Sequence, residues 1–529
     1  MTAERRAWVG QSLIGAGLLV VAVVLWRWHA ASMLAITHDG ERIGWALAAA
    51  ILWVTGTAAL MRRAPVARPV QATVAGVSQV LVVHASQTGF ATELAHRTAD
   101  ALRDAGLGVV TCAVGELDSA MLSAHTRALF VVSTTGEGDA PDSAVGFQRA
   151  LMSSPRALSH LHYGILALGD RDYEDFCAFG RDLEHWLHAS GATALFDRVD
   201  VDNGDDGALR HWQDQLRQLS GNAELPDWQR PAYGAWRVNA RQLLNAGSQG
   251  LPCFHVSLVP DDLAALDWQA GDILEVGPKH GDAVLRRWTE QAGVAPDASL
   301  LAALASMHLP EPASVRGMPV AAWLPTLSAL PHREYSIASV PADGSLDLVV
   351  RQQRGADGSS GLGSGWLTEH VSVGGRVDAR VRRNPGFHAP SDDRPVILIG
   401  NGTGIAGLRA LLKQRMARGH RRNWLLFGER QAAVDRLHVD ELERWQHAGD
   451  IAQLDLVWSR DGGAGRYVQD ALRANAPMLR TWVAEGASLY VCGSLAGMAP
   501  AVDSALRESL GDAMVDTLLE AGRYRRDVY

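Results

Sequence analysis

The sequence predicts an α/β protein in which two doubly wound modules flank a β-barrel, with two transmembrane helices ahead of them. Three observations carry that expectation. Strand-length apolar runs, each followed by a turn rich in glycine or hydroxyls and then a helical repeat, occur at "QVLVVHASQTGFATELAHRTADAL" and "RPVILIGNGTGIAGLRALLKQR". Between them, residues 232–390 are richer in Gly, Pro and short alternating runs such as "SLDLVVRQQ". Two uncharged apolar stretches stand near the N-terminus. With 529 residues the chain exceeds one hydrophobic core and suggests about three or four domains. The expected divisions are a membrane hairpin at 1–64, a linker at 65–76, and domains at 77–221, 232–390 and 391–529.

The apolar stretches, Trp8 to Trp26 and Ile43 to Met61, are each 19 residues without a charge, just enough for a bilayer crossing. Arg5 and Arg6 precede the first and Arg62 and Arg63 follow the second, so both ends are expected in the cytoplasm. A cleavable signal peptide is the competing reading, and the length of the first stretch and the presence of a second disfavour it. The expectation is a multi-pass protein of the cytoplasmic membrane, anchored in the bilayer by the hairpin, with its catalytic domains in the cytoplasm. No His lies inside either span, which argues against an intramembrane haem.

Composition bounds the rest. Hydrophobic residues at 47% and charged residues at 20% suit folded protein. The four cysteines, Cys112, Cys177, Cys253 and Cys492, form no CxxC pair and no metal-ligand spacing, so neither a disulfide framework nor a metal site is expected. Residues 77–221 hold 20 Asp and Glu against 10 Arg and no Lys. Such a domain repels nucleic acid and attracts basic protein surfaces, although a merely soluble face accounts for the charge equally well.

In the first module, Val80 to Val83 read as a buried parallel strand, and Leu94, Ala95, Thr98, Ala101 and Leu102 return at helical spacing. The loop between them is rich in hydroxyls and opens a helix, so its amides could bind a phosphate group. It lacks the GxxxxGK[ST] of a nucleoside triphosphate loop, and alone it fits an ordinary turn as well. Two further loops, "STTGEGDAPD" and "LGDRDYEDFCAFG", follow the strands "ALFVVS" and "GILALG" on the same sheet edge. With these three loops the module resembles the flavodoxin-like FMN domain of diflavin reductases. The resemblance implies that Ser86, Gln87, Thr88, Gly89, Phe90 and Ala91 hold the FMN phosphate. Ser133, Thr134, Thr135, Gly136, Glu137, Gly138 and Asp139 would line one face of the ring. Tyr173 would stack on the other, with Leu168, Gly169, Asp170, Phe176 and Cys177 completing that loop. Thr135 stands where several relatives have Tyr, so FMN is expected to be held less tightly.

In the second module Gly400, Gly402 and Gly404 allow a tight turn before a helix, although the spacing is not GxGxxG because position 405 is Ile. Strands recur at "NWLLFGER", "QLDLVWSR" and "SLYVCGS". Ser459, Arg460 and Arg466 follow the second of these, where arginine forks could seat a phosphate monoester; unliganded surface arginines are the alternative. Within the barrel region, "HREYSIAS" and "GLGSGWL" supply an Arg, a Tyr, hydroxyls and close-packing glycines.

Arg333-Glu334-Tyr335-Ser336 matches the RxYS signature of the ferredoxin-reductase FAD barrel, and from about Gln79 to Tyr529 the chain resembles the NADPH-dependent diflavin reductases, nearest in motif to sulfite reductase flavoproteins. That resemblance implies a ferredoxin-reductase-type NADP domain after the barrel. Arg333, Tyr335 and Ser336 would contact FAD, and Gly361, Leu362, Gly363 and Ser364 would hold its pyrophosphate. Gly402, Thr403 and Gly404 would face the NADPH pyrophosphate, and Ser459, Arg460, Arg466, Tyr467 and Gln469 its adenosine phosphate end. Cys492 would lie beside the nicotinamide, Asp527 would position hydride transfer, and Tyr529 would lie flat on the FAD ring. Asn401 and Gly407 stand where the family usually has Pro, and Ser494 replaces a common acidic residue, so reduced turnover is expected. About 110 residues separate the flavodoxin-like module from Arg333, too few for the large helical connecting domain of longer relatives. Electrons would pass from NADPH to FAD to FMN and on to a one-electron acceptor, a haem or iron protein docked on the acidic domain. Reduction of ferric chelates or siderophore iron, and a flavin-binding redox sensor, are the alternatives.

Overall fold

The computed structural model describes residues 79–529 apart from 137, 223, 224, 227, 229–231, 356, 357, 463, 464 and 496. The spans expected at Trp8 to Trp26 and Ile43 to Met61, and the linker, lie outside the described residues. Among the described residues no helix is long and apolar enough to cross a membrane.

Continuous apolar runs build the first sheet, as strands covered on both faces require. They are β1 (Val80–Ala85), β2 (Val109–Ala113), β3 (Arg127–Ser133), β4 (His162–Gly169) and the short β5 (Thr193–Ala194) and β6 (Val199–Asp202). The order is β2-β1-β3-β4, with β5 and β6 both on β4, and every pairing is parallel. The order reverses between β1 and β3, so the loops after those strands open a crevice at their carboxyl ends. The helix Phe90–Asp104 buries Leu94, Ala95, Thr98, Ala99 and Leu102 against the sheet, while Ala101 is half-buried. Thr98 is satisfied there by the buried indole of Trp212, whose Nε1 donates to Thr98 Oγ1 at 3.0 Å. Truncating Leu94 to Ala would cost about 2–5 kcal/mol, the range for a core leucine.

The middle sheet comprises β7 (Gly234–Leu243), β8 (Cys253–Pro260), β9 (Ile273–Gly277), β10 (Arg333–Ser336), β11 (Leu346–Arg351) and β12 (Arg376–Arg382). Its antiparallel order is β10-β9-β12-β7-β8-β11, and the two ends meet where Ala338 N donates to Asp347 O at 2.7 Å, which curls it into a barrel. Between β9 and β10 lies a small helical insertion, Asp282–Ala292, Ala298–Leu304, Pro312–Val315 and Val320–Trp323. Its own core joins Leu285, Trp288, Leu300, Leu304 and Trp323. This compact unit stands where longer relatives are expected to carry a large helical domain.

The last sheet runs β15 (Gln453–Trp458), β14 (Asn423–Glu429), β13 (Val396–Asn401), β16 (Ser488–Gly493), β17 (Tyr524–Val528), all parallel. Its order reverses between β13 and β16, so Asn401 and Gly493 flank the switch point. The C-terminal residues are a strand in this sheet, with Val528 opposite Gly493.

Candidate active site

A cavity of about 420 Å3 opens where barrel and last sheet meet. The barrel contributes Arg333, Tyr335 and Ser336 from β10 and the turn Gly361 to Ser364; the last sheet contributes Thr403, Asp527 and Tyr529. The glycine turn is pressed onto β10. A Cβ on Gly363 would lie 2.5 Å from Tyr335 Oη and 2.7 Å from Arg333 Cγ, so glycine is required. Ser364 Oγ accepts from Gln353 N at 3.0 Å and fixes the turn to the strand before it. The two barrel motifs, 28 positions apart between Arg333 and Gly361, thus form one surface.

Ser336, Cys492 and Asp527 converge on a single oxygen. Ser336 Oγ donates to Asp527 Oδ2 at 2.7 Å, and the Cys492 thiol reaches the same atom at 3.6 Å. Burial raises the Asp527 carboxyl above its ordinary range, against the opposing bonds from Ser336 and Cys492. Burial, with Asp527 beside it, also pushes the Cys492 thiol well up, so the sulfur stays protonated. Tyr529 is anchored rather than frayed: its N–H donates to Gly493 O at 3.0 Å, and its carbonyl accepts from Leu495 N at 3.1 Å. Its side chain is left half-exposed beside the cavity.

Two features here had no signal in the sequence. Asn401 Oδ1 accepts from Ser494 N at 2.9 Å, so the Asn that replaces a family Pro ties the two turns at the switch point together. Arg351 lines the cavity and pairs with the buried Glu429 at 2.6 Å. Next to them, Gly402 adopts φ +57, and Gly404 packs so tightly that a Cβ would fall 2.0 Å from Cys492 O. Gly407 faces the Cys492 sulfur, 3.5 Å from where its Cβ would be.

In the first domain, Gly89 takes φ +89 and donates its N–H to Ser86 Oγ at 2.9 Å, which turns the loop into the helix beginning at Phe90. Amides at such a helix start favour an anion. Thr135 and Asp139 exchange backbone bonds of 2.8 Å each way; Glu137 lies outside the described residues. Thr134 N donates to Leu168 O at 2.9 Å, joining this loop to the end of β4. The loop after β4 folds back over Gly169, where a Cβ would meet Cys177 and the Phe176 ring at 2.9 Å. Tyr173 is exposed, and its N–H donates to Asp170 O at 3.2 Å. Gly138 lies against Asp175, so the two loops touch. Cys177 differs from the sequence expectation: its side chain turns inward, with the thiol donating to Ala167 O at 3.4 Å, and burial pushes it up to about 12.

The loop of residues 86–91 in the first domain is docked against the barrel and the last sheet. Thr88 stands in the wall of the large cavity. Arg382, 2% exposed, donates to Glu275 at 2.6 Å, pairs with Glu334 and donates to Thr88 O. Arg380 pairs with Glu93 at 3.1 Å and with Glu275. Burial alone would raise Glu275, but the two guanidiniums outweigh it and hold the carboxyl below its ordinary range. In the loop after β3, a Cβ added to Gly136 would lie 3.5 Å from the Leu495 side chain, and Asp142 is paired with Arg526 of β17. Ser459, Arg460, Arg466, Tyr467 and Gln469 stand apart, after β15; Arg460, Arg466 and Tyr467 are exposed and none of the five lines the cavity.

Comparison with known proteins agrees with this layout. Residues 82–212 match the flavodoxin family model, and residues 398–504 match the oxidoreductase NAD-binding domain. The chain is 29% identical over 567 aligned positions to the sulfite reductase (NADPH) flavoprotein alpha-component of Neisseria meningitidis serogroup B, covering 90% of this chain and 92% of that one. It is 28% identical to the proteins of the same name from Vibrio vulnificus, over 90% of this chain and 93% of the relative, and Mannheimia succiniciproducens, over 85% and 90%. It is an NADPH-dependent flavoprotein reductase. The cofactors of the reductase are FMN, FAD and NADPH. The cavity suits a flavin nucleotide, with a volume inside the usual ligand range of ~300–1,000 Å3 and a glycine cradle that any Cβ would fill. The loop at Ser86 suits the second flavin's phosphate. The expected location of the reductase in the cytoplasmic membrane is overturned. Relatives matched over 90% of this chain are named as flavoprotein components of sulfite reductase, and no helix among the described residues has the long apolar run that a span needs.

Proposed function

We propose that the reductase moves electrons from NADPH through FAD and FMN to a one-electron acceptor protein that docks on the flavodoxin-like domain, a sulfite reductase-type haem partner among the candidates. One observation carries this reading: Thr88 of the phosphate loop lines the same cavity as Tyr335, Gly363 and Tyr529, so the two flavin sites adjoin. When bound, the flavins supply hydride acceptance from NADPH and single-electron release. The protein's part is binding, orientation and proton control. Arg333 and the Gly361 to Ser364 turn hold the pyrophosphate of FAD, and Tyr335 packs beside them. Ser336, held by Asp527, presents its hydroxyl toward the cavity, and the neutral Cys492 thiol leaves the nicotinamide surface without a competing negative charge. Tyr529 covers the flavin face until nicotinamide displaces its ring. Gly402, Thr403 and Gly404 receive the dinucleotide pyrophosphate, and Ser459, Arg460, Arg466, Tyr467 and Gln469 its 2'-phosphate end. Ser86 to Ala91 hold the FMN phosphate, with Ser133 to Asp139 and Tyr173 about the ring.

Docking of an acceptor requires the flavodoxin-like domain to leave its internal seat. Asp142 and Glu93, two of its carboxylates, are engaged with Arg526 and Arg380 and become available to a basic partner on release. The test loads the protein with both flavins and follows NADPH oxidation with a haemoprotein acceptor against ferric chelates, across ionic strength. The proposal expects haemoprotein reduction to dominate and to weaken with salt. Reduction of chelates alone, or an acceptor rate indifferent to salt, would defeat it.

A further inference from the structure

A second cavity lies at the other end of the last sheet from the flavin and nucleotide loops. It occupies about 370 Å3 between the segment 385–394 and the starts of β16 and β17, and Arg394, Arg523 and Arg525 all reach its wall. Three guanidiniums in one small space need explaining in a chain of formal net charge −9. Arg394 is balanced by Asp392, to which it donates at 2.7 and 2.6 Å. The other two are held by carbonyls, which orient a guanidinium without neutralising it. Arg523 donates to Val483 O at 2.9 Å and Ala487 O at 2.7 Å, and Arg525 donates to Gly522 O, Pro385 O and His388 O at 2.7, 3.2 and 2.9 Å.

Behind this wall Arg415 is fully buried. Its Nη2 donates to Arg394 O at 2.8 Å and its Nε to Asn423 Oδ1 at 2.6 Å, but its Nη1 has no partner among the described residues. Burial, with Arg394 nearby, pushes the Arg523 guanidinium below its ordinary range, and burial brings Arg415 down to about 10. Cations crowded and desolvated in this way are costly unless an anion joins them.

We propose that this cavity is a binding site for a small phosphate-bearing anion, held by the donors that the carbonyls leave over, Nη1 of Arg523 and Nη2 of Arg525, with the hydroxyls of Ser391 and Ser488 beside them. Guanidinium N–H groups make charge-assisted hydrogen bonds to phosphate oxygens. The volume, at the low end of the ~300–1,000 Å3 of ligand pockets, suits a diphosphate or a compact phosphate monoester against the apolar Pro385, Ala389 and Pro390. The ligand is not the nucleotide of the reductase reaction, because Ser459 to Gln469 follow the opposite end of β15. The cavity is rooted in the same elements as the proposed flavin sites: β17 runs from its wall to Tyr529, and a Cβ added to Gly386 would lie 3.4 Å from Gln87 O in the loop after β1.

Calorimetric titration of the flavin-loaded full chain with inorganic pyrophosphate, with and without saturating NADP+, tests the site. The expected result is one binding event that survives NADP+ and weakens by at least roughly tenfold in Arg523→Gln and in Ser391→Glu. Ser391→Glu adds a repelling carboxylate while leaving every carbonyl bond intact, so it decides the matter if Arg523→Gln folds poorly. No binding to the unmodified chain, binding abolished by NADP+, or binding that Ser391→Glu leaves unchanged overturns the proposal.

Discussion

Replacing Arg526 with Gln should loosen the flavodoxin-like domain from the rest of the reductase, because this guanidinium is one of the charged clasps between them, beside Arg380 with Glu93 and Arg149 with Asp516. Its Nε donates to Asp142 Oδ1 at 2.7 Å and its Nη2 bonds the same carboxylate, while its main-chain N–H donates to Oδ2 at 3.1 Å. Gln87 completes the clasp: its Nε2 donates to Asp142 Oδ2 at 3.0 Å, and Asp142 N donates to Gln87 Oε1 at 2.9 Å. The substitution removes the two side-chain bonds and spares the main-chain ones. With side chains 27% and 13% exposed, the pair is drier than a surface ion pair, so bonds to charge count, though at the lower end of their range. The loss comes to about 2–3 kcal/mol, which shifts the docking equilibrium by roughly thirty- to a hundred-and-fiftyfold. Glu93 with Arg380 and Thr88 with Arg382 remain, so docking weakens without vanishing. X-ray scattering should report a larger radius of gyration for Arg526→Gln, and flash-initiated flavin-to-flavin transfer should slow while reduction of an external acceptor quickens. Asp142→Asn should behave alike, and the double variant should add little. If scattering and both rates match the unmodified protein at low salt, the clasp carries no docking energy and the reasoning fails.

On the proposed covering role of Tyr529, its removal should raise kcat/KM for NADH by an order of magnitude or more; steady-state comparison of NADH and NADPH checks it. Asp527→Asn keeps the shape but loses the charge that Ser336 and Cys492 address, so NADPH-driven flavin reduction should fall by about a hundredfold while electron release from chemically reduced enzyme is unchanged, as stopped-flow traces would show. Thr135→Tyr should improve FMN retention on dialysis by up to roughly tenfold in affinity, the worth of one stacked ring. Burial, with Arg409 and His255 beside it, drives His438 down to about 3, so the folded protein holds this ring neutral where the unfolded chain protonates it near 6.5. Stability from this group is full above pH 6.5 and is lost as pH falls toward the folded value, at about 1.4 kcal/mol per pH unit. His438→Asn, an Asn being at ease at the positive φ of 58, should flatten the fall in urea stability between pH 6.5 and 4.5 by that slope.

What the sequence disclosed and what it withheld divide along one physical line. Buried parallel strands read as unbroken apolar runs, so β1, β3, β4 and β13 to β16 were visible as local pattern, and the turns at their carboxyl ends came with them. The pairing of Arg333 to Ser336 with Gly361 to Ser364 was foreseen through resemblance and is explained by Gly363 packing on Tyr335. Contacts between domains have no such trace. "RVRRN" looks like a solvated charge run, yet it supplies Arg382, which is 2% exposed and bonded across 294 positions to Thr88. Asp142 and Arg526 are 384 residues apart, and nothing near either announces the other. At Cys177 a loop position says where the backbone runs and not which way the side chain turns: its thiol is buried and donates to Ala167 O. Asn401 and Gly407 looked like losses against a family Pro, but Asn401 is a side-chain latch that Pro could not make.

The strand β17 places charged and aromatic side chains on two faces of the sheet. Side chains alternate along a strand, so Arg526 and Asp527 point to opposite faces of the sheet. One reaches the carboxylate of the flavodoxin-like domain, and the other reaches Ser336 of the barrel. Register does the rest: pairing Leu489 with Tyr524 through Gly493 with Val528 fixes all three positions at once, and the bond from Tyr529 N to Gly493 O carries that order to the last residue. The neighbouring Leu495 donates its N–H to Tyr529 O, and its side chain lies against Gly136 in the loop after β3 of the first domain. A sideways shift of the peptide at residue 529 would therefore be felt in the cavity at the barrel and in the loop after β3 of the first domain together. The strand Tyr524–Val528 brings Arg526, the buried carboxylate of Asp527 and the Tyr529 ring to one place because β16 sets its register.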